Sequence, residues 1–372
     1  MVNGQWYLSV ASILIPLQMG SQTWDDHDRS GRYACRDFGA NYLESMQREG
    51  HPIIFTDGDN ETFPLWYNHE VEGLRTDTRD CNLEYLQTDW YIDQMKRPAY
   101  DSPALPVGLC HEDYKEGRLE YVPIDFDSLT IGNTVISLDG KQGLYKNELM
   151  ALEILSQANW ERPVYLSVSL GPSHLPFLRD HLVLEGLAYR VCPTATGQQV
   201  DVERLYNNIM HRFRYGGLTP LTIDHSPLTI DHCSAPESAA NNGQWSMVNG
   251  QSIEFLDRKK GDLHRALTVC QKWQKELPPE NVPYTDSALA MARCYYLASQ
   301  PEQADEIVRN LLRRSAEWLS WIDTITPRRR AGSSYSQYEW AQTLQKALAV
   351  AGQFNRTELS NQYIQPYEHF IK

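Results

Sequence analysis

Apolar and polar positions along the first 215 residues predict short strands that alternate with amphipathic helices. Residues 33–46 carry apolar side chains at helical spacing, with Phe38, Tyr42 and Met46 among them. Residues 52–56 form a short apolar run of the strand type, and a helix is predicted at 63–72. Further strands are predicted at 81–86, 121–125, 134–138, 164–168 and 188–191, and further helices from 91, at 147–158, at 175–185 and at 200–215. Strand, helix and strand at this spacing predict parallel βαβ units.

From residue 253 to the end the pattern is helical throughout. Residues 285–298 and 301–314 predict an antiparallel helix pair, in which Ala304, Ile307 and Leu311 share one face. Such pairs are typical of tetratricopeptide-type stacks, although the strict repeat signature is absent. We therefore predict an α/β plus all-α fold class, with a Rossmann-like α/β domain followed by a tetratricopeptide-like helical domain. The predicted divisions are an apolar lead at 1–23, the α/β domain at 24–215, a linker at 216–252 and the helical domain at 253–372.

The apolar lead contains one largely hydrophobic run at residues 6–19, which is shorter than the roughly 20 residues that span a bilayer. Residues 1–7 hold no Lys or Arg, so the basic region of a signal peptide is absent from them. Two interpretations stay open. The run is either a buried element of the fold or the last turns of a membrane helix.

Composition and charge narrow the classes of function. The charged residues give a net charge of −14, which argues against a nucleic-acid binder because such proteins present a basic face. None of the seven cysteines forms a CxxC pair, so no zinc-ribbon motif is present. In the linker, Pro-Leu-Thr-Ile-Asp-His stands at 220–225 and again at 227–232. Its two Asp-His pairs are either candidate metal ligands or a simple repetition in a polar linker.

A first polar cluster occupies residues 24–33. Its candidate site residues are Asp25, Asp26, His27, Asp28, Arg29 and Arg32. One interpretation is a turn in which the carboxylates pair with the two arginines. The other is a metal site or a site for sugar hydroxyls with His27 as acid or base, since imidazole changes protonation near neutral pH.

A second polar cluster follows the strand predicted at 52–56. Its candidate site residues are Asp57, Asp59, Asn60 and Glu61. Carboxylate oxygens suit Mg²⁺ or Mn²⁺, and open α/β sheets bind ligands at the carboxyl ends of their strands. Asp57 and Asp59 are thus the candidate ligands for a divalent cation, and no other cofactor is assigned. The alternative is a structural loop with carboxylates placed favourably at a helix N-terminus. We expect the two clusters to form one polar edge of the α/β domain.

Several longer motifs carry a resemblance. They are 24–33, Ile-Phe-Thr-Asp-Gly-Asp-Asn-Glu-Thr-Phe-Pro-Leu-Trp-Tyr at 54–67, Glu-Val-Glu-Gly at 70–73, the stretch 82–98 and Arg-Pro-Val-Tyr at 162–165. Together they resemble the C-terminal extracytoplasmic region of bacterial protein-O-mannosyltransferase-like membrane glycosyltransferases, a family long catalogued as a domain of unknown function. The resemblance covers residues 5–217, with a looser match beyond 253. It implies that the catalytic half, which uses a lipid-linked sugar donor, is a membrane-embedded part absent from this chain.

Three functions follow as hypotheses. The first is a non-catalytic extracytoplasmic module on the periplasmic face, tethered to the membrane-embedded catalytic half of the same protein and binding acceptor protein, glycan or another partner. The second is an enzyme in its own right, a metal-dependent glycosyl- or phosphoryl-transferring protein that uses Asp57-Gly58-Asp59. The third is a helical-repeat scaffold formed by the residues after 253.

Overall fold

The structure is a computed structural model that describes residues 10, 12–22, 33–194, 200–216, 247–254, 256–257, 261–279, 282–326, 330 and 333–371. The first polar cluster, apart from Tyr33, and the doubled hexapeptide of the linker lie outside the described residues.

Nine strands form three sheets in the described part of the chain. They are β1 (Ile53–Thr56), β2 (Arg79–Asn82), β3 (Tyr121–Pro123), β4 (Ser128–Ile131), β5 (Thr134–Ser137), β6 (Gly143–Tyr145), β7 (Val164–Ser167), β8 (Leu182–Leu184) and β9 (Ala188–Val191). The main sheet has the order β2-β1-β7-β9-β8. Strand β1 pairs in parallel with β2 and β7, whereas β9 runs antiparallel to both β7 and β8. Two antiparallel pairs, β3 with β6 and β4 with β5, stand outside it.

Thirteen α-helices have defined bounds in the described residues, in addition to the helical stretches at 12–22 and 247–254. They are α1 (Ala34–Ser45), α2 (Asp59–Glu70), α3 (Asp89–Met95), α4 (His111–Tyr114), α5 (Lys146–Ala158), α6 (Gly171–His174), α7 (Val202–Asn207), α8 (Leu263–Glu276), α9 (Ala288–Leu297), α10 (Pro301–Thr324), α11 (Ser334–Gln353), α12 (Thr357–Ile364) and α13 (Glu368–Ile371). Short 3₁₀ turns lie at Tyr85–Gln87 and Pro176–His181, and a π-helical turn at Asn208–Arg212 follows α7.

Both faces of the main sheet are covered, because successive side chains of a strand point to opposite faces. Ile54 and Tyr165 pack in one core together with side chains of α1 and α2. Phe55 and Leu166 pack in a second core with side chains of α3 and α5. The strands are therefore buried on both sides, which explains why β1 and β7 read as continuous apolar runs rather than as alternating ones.

The first of these cores continues into the C-terminal helices. It runs from Phe38 of α1 through Val248 and Ile253 to Ala351 of α11. In this region α10 packs against both α9 and α11. One contiguous apolar cluster thus joins the sheet to the helical region. Residues 247–252 of the predicted linker are helical, because their apolar side chains enter this cluster.

Several sequence expectations change in the structure. Strands β1, β2 and β7 are parallel, which confirms the parallel prediction for them. The sheet as a whole is mixed, and a Rossmann-like strand order is not confirmed. The C-terminal region is helical as predicted, without confirming a tetratricopeptide architecture. The mostly helical segment predicted at 175–185 is confirmed only in its first part: Pro176–His181 form a 3₁₀ helix, whereas Leu182–Leu184 form β8, whose three residues are buried. Helix α2 begins at Asp59, four residues earlier than predicted.

Residues 12–22 form a helix whose apolar side chains face outward. Ile13, Leu14, Leu17 and Met19 are all more than half exposed. Within the described ranges, no helix combines the length and the apolar character that crossing a membrane requires.

Candidate functional site

The candidate site lies at the carboxyl ends of β1 and β7, which are adjacent parallel strands. From β1 the chain passes through α2 to β2 on one side, whereas from β7 it passes to β8 and β9 on the other side. The two connections therefore diverge at this point, which is where α/β sheets typically bind ligands. We call this region the polar edge and define it by Asp57, Asn82, Ser169 and His174.

Glu61 shapes the loop that enters α2. Its Oε1 atom accepts hydrogen bonds from the backbone N–H groups of Asp57 and Gly58, each at 3.1 Å. Gly58 is the N-cap residue and has no side chain that could cap the helix, so Glu61 alone satisfies these donors. Glu61 is 2% exposed, and its carboxylate also lies at the positive end of the helix dipole. This predicted site residue therefore holds the loop in place.

Asn82 connects the ends of β1 and β2. Its Nδ2 atom donates to the carbonyl oxygen of Asp57 at 2.8 Å and to Oγ1 of Thr62 at 3.1 Å. The Thr62 hydroxyl donates in turn to Oγ1 of Thr56 at 2.9 Å. The Asn82 Oδ1 atom accepts from the backbone N–H of Tyr85 at 3.0 Å. All functional atoms of this amide are thus used to fix the loop geometry.

Asp57, which follows β1, faces His174, which follows β7. The Oδ2 atom of Asp57 lies 3.5 Å from Nε2 of His174, and the Oδ1 atom is buried with no hydrogen-bond partner in the described structure. The Nδ1 atom of His174 lies 2.5 Å from the carbonyl oxygen of Leu170. Because a carbonyl only accepts, Nδ1 carries a proton, and the Asp57 contact is attractive only when a second proton lies on Nε2 or on the carboxyl group. The pair is a hydrogen-bonding centre whose charge depends on protonation.

The loop after β7 contributes hydroxyl groups. The Oγ atoms of Ser167 and Ser169 lie 2.8 Å apart, and Ser167 Oγ accepts from the backbone N–H of Leu170 at 3.3 Å. The Tyr42 phenol is hydrogen-bonded to Ser169, and complete burial raises the pKa of Tyr42 well above its usual value. Tyr42 is therefore a neutral hydroxyl group behind the loop.

The predicted site residues have different outcomes. Asp57, Asp59, Asn60 and Glu61 follow β1 as expected, with Asp59 exposed and Asn60 half-buried. Asp25, Asp26, His27, Asp28, Arg29 and Arg32 lie outside the described residues. In the ranges that the structure describes, no group of three or more His, Cys, Asp or Glu side chains could hold a metal ion. The metal role of Asp57 and Asp59 stays a prediction.

Sequence reasoning missed Asn82 and His174. The strand predicted at 81–86 placed Asn82 near its start, at the edge away from Asp57, whereas the observed strand β2 ends at Asn82 and so brings it beside the carboxyl end of β1. His174 stands just before the mostly helical segment predicted at 175–185, and nothing local to it indicates that it faces Asp57.

The fold and the polar edge together define an α/β domain with a group of polar side chains at the switch point of a mixed sheet. Residues 35–139 and 125–209 match a family model described as TMEM260-associated domain 2. Together the two segments span just under half of the chain and include Asp57, Asn82 and His174. The match supports a TMEM260-like family and a module of a glycosyltransferase-like protein, and it leaves the predicted bacterial origin untested. Neither the comparison with curated proteins nor that with solved structures gave a match.

Proposed function

We propose that this chain is a non-catalytic, extracytoplasmic module of a membrane-embedded glycosyltransferase, and that it binds the acceptor protein or its glycan. The family match over residues 35–209 carries the proposal, because it includes the polar edge. TMEM260 itself has been put forward as a protein O-mannosyltransferase. The proposed partner is the membrane-embedded catalytic half of the same protein.

The geometry of the polar edge supports binding. Glu61 and Asn82 spend their polar atoms on the loop itself, as described above. Asp57 and His174 are the pair that remains reachable, with side chains that are 25% and 43% exposed. A carboxylate beside an imidazole can accept and donate hydrogen bonds to hydroxyl or amide groups of an acceptor.

Two measurements test this proposal. The gene that encodes this chain should also encode a series of transmembrane helices in the same reading frame. A gene without them would remove the proposed membrane link. The chain alone, incubated with a lipid-linked or nucleotide-linked mannose donor and an acceptor peptide, should transfer no sugar. Transfer that is lost on Asp57→Asn would overturn the non-catalytic role.

One observation favours a second candidate, a metal-dependent transferase. Asp57 Oδ1 is buried without a partner at the switch point, and Asp59 lies two residues away on the same loop. Titration calorimetry with Mn²⁺ and with Mg²⁺ should then give saturable heat that Asp57→Asn and Asp59→Asn abolish. No heat at metal concentrations of about 1 mM, where binding would still be worth about 4 kcal/mol, excludes this mechanism.

The helical region suggests a third candidate, a tetratricopeptide-like brace for a partner protein. Trp321, Tyr335 and Tyr338 of α10 and α11 are between 49% and 73% exposed. Exposed aromatic side chains are common at protein interfaces. Substituting these three side chains with serine should abolish partner capture while the chain stays folded, whereas unchanged capture would reject a brace at this surface.

A further inference from the structure

A cavity of about 280 Å³ lies beside the open edge of the main sheet, between α2 and α3 and next to the edge strand β2. Its lining combines four tryptophan and tyrosine side chains with charged and other polar groups, and includes Trp66, Trp90, Tyr91, Tyr100, Glu70 and Asp80. We call it the edge cavity. Neither Asp57 nor His174 lines it. Ligand cavities usually measure about 300–1,000 Å³, so this volume suits one small ring rather than a long chain.

Aromatic side chains form the walls of the edge cavity. Trp90 is 56% exposed and Tyr100 is 63% exposed, so both rings are available to a ligand. The centroid of Tyr85 lies 6.4 Å from that of Trp66 and 6.2 Å from that of Trp90. The Tyr100 hydroxyl donates to Glu70. These contacts hold the rings in fixed positions, which reduces the ordering cost of binding.

The floor of the cavity is the edge of β2, where one unpaired donor and one unpaired acceptor lie on opposite faces of the sheet, Arg79 towards α3 and Asp80 towards His69 of α2. Asp80 and Arg79 line the cavity and are 7% and 5% exposed. Asp80 places Oδ1 3.3 Å from Nδ1 of His69, but its Oδ2 atom has no hydrogen-bond partner in the described structure. The Nη1 atom of Arg79 is likewise buried without a partner among the described residues. An unsatisfied buried polar group costs about 1–3 kcal/mol, and more when it is charged.

We propose that the edge cavity binds one pyranose ring of a glycan. A sugar hydroxyl both donates and accepts, so a ring lying across the edge of β2 can offer one hydroxyl to the Asp80 carboxylate on the α2 side and another, from the opposite side of the ring, to the Arg79 guanidinium on the α3 side. The C–H face of the ring can lie against Trp66 and Trp90, whose ring faces carry partial negative charge. Few convergent polar groups on an aromatic surface are what an orienting small-molecule site requires.

Other ligand classes fit the floor less well. A cation would pair with Asp80 but would leave Arg79 unpaired and would be repelled by it. An anion has the opposite defect, because it would meet Asp80 and Glu70. A purely apolar ligand would leave both floor atoms buried and unsatisfied. A neutral ligand with several hydroxyl groups is the class that satisfies the donor and the acceptor at once.

This inference deepens the proposed function, because it names a ligand class for a module that we propose to bind acceptor or glycan. The edge cavity can nevertheless be tested without the membrane-embedded half. A chain that binds sugar but whose gene encodes no transmembrane helices would keep the cavity and reject the module. A gene that encodes those helices, together with a chain that binds no sugar, would keep the module and reject the cavity.

The test is a titration of the full chain, labelled at the tryptophan indoles, followed by NMR. The probes are methyl α-mannopyranoside, methyl β-glucopyranoside and N-acetylglucosamine, with tetramethylammonium and a proline-rich peptide as competing classes. We expect saturable shifts of the Trp66 and Trp90 indole signals with at least one sugar, with a dissociation constant in the range of about 1–10 mM, which is typical of one weakly held ring.

Trp90→Ala is the first variant, since the exposed ring can be removed without opening the core. It should weaken sugar binding by about tenfold or more, equivalent to about 1.4 kcal/mol. Trp321→Ala is the matched control, because Trp321 is 49% exposed and lies on α10. Asp80→Asn is the second variant, and it should weaken binding while circular dichroism shows an unchanged fold.

Four outcomes would overturn the inference. The first is that no sugar gives a saturable shift at about 100 mM, far above the expected dissociation constant. The second is that Trp90→Ala and Trp321→Ala weaken sugar binding equally. The third is that tetramethylammonium binds in preference to sugars, and the fourth is that the peptide does so. The third would define a cation site, and the fourth a peptide groove.

Discussion

Glu61 offers the sharpest test of how the polar edge is built. Its carboxylate accepts two backbone N–H groups and lies at the start of α2. Glu61→Ala leaves both donors without their acceptor; an unsatisfied donor that is fully buried costs about 1–3 kcal/mol, and the cost is lower at the half-buried Asp57 and the exposed Gly58, where water can replace the carboxylate. Loss of the dipole interaction adds about 0.3–1 kcal/mol. Water can reach part of this loop, because the Asp57 side chain is 25% exposed. We therefore expect Glu61→Ala to lower the free energy of unfolding by about 2–4 kcal/mol.

Two further variants separate the contributions. Glu61→Gln retains a carbonyl oxygen that can accept both bonds and loses only the charge, so it should cost roughly half as much as Glu61→Ala. Glu302→Ala is the matched control. Glu302 also lies in the first turn of a helix, α10, but its side chain is exposed. This control should cost less than about 1 kcal/mol.

The assay is urea unfolding followed by circular dichroism, with stability compared through the midpoint at unchanged slope. The imidazole NMR signals of His174 give a second readout, since a released loop moves Asp57 away from it. Glu61→Ala should shift those signals and Glu302→Ala should leave them in place. If Glu61→Ala and Glu302→Ala differ by less than about 0.5 kcal/mol, the loop does not depend on this carboxylate and the reasoning is wrong.

Three other predictions follow from packing and charge. Gly39→Ala should destabilise the chain by about 1–3 kcal/mol in urea unfolding, because the added Cβ would lie 2.3 Å from the carbonyl oxygen of Pro64; a gain of the usual helix-interior kind would contradict this contact. Although burial raises it, the hydrogen bonds from Arg356 hold the pKa of Asp305 below its usual value. The contribution of the Asp305 carboxylate to the free energy of unfolding is therefore present above about pH 4 and is lost as the pH falls through the pKa of Asp305 in the folded chain. The wild type should consequently lose more stability on acidification than Asp305→Asn. Arg265→Ala removes two hydrogen bonds to an exposed carboxylate of α7 and should lower the free energy of unfolding by no more than about 1 kcal/mol in the same assay. A larger decrease would show that buried contacts of Arg265 contribute to stability.

The elements that could be predicted from sequence are those defined by local pattern. Strand β1 is a short apolar run bounded by polar residues, and the acidic loop that follows it lies at the predicted place. Strand β9 has the predicted limits, 188–191, and α1 differs from its prediction by one residue at each end. In these segments periodicity and burial agree, since apolar positions recur at helical spacing or in a buried run.

The elements that could not be predicted depend on contacts between distant parts of the chain. His174 comes 117 residues after Asp57 in the sequence, and only the parallel pairing of β7 with β1 brings them together. The segment at 175–185 has helical spacing, but its last residues pair with β9 as a strand, so tertiary contact overrides local preference. The edge cavity combines Trp66 with Trp90, which belong to separate helices, and no local sequence pattern indicates that they share a cavity.

Helix α2 links the polar edge to the edge cavity, and this gives the two sites a testable dependence. Its first turn carries Glu61, and its body carries Trp66 and His69. Because Gly39 touches the same helix at Pro64, Gly39→Ala should displace α2 and perturb both sites together. It should therefore shift the His174 signals and also weaken sugar binding, whereas Trp90→Ala should weaken sugar binding alone. A Gly39→Ala chain that stays folded and changes only one of the two readouts would show that the sites are held independently of α2.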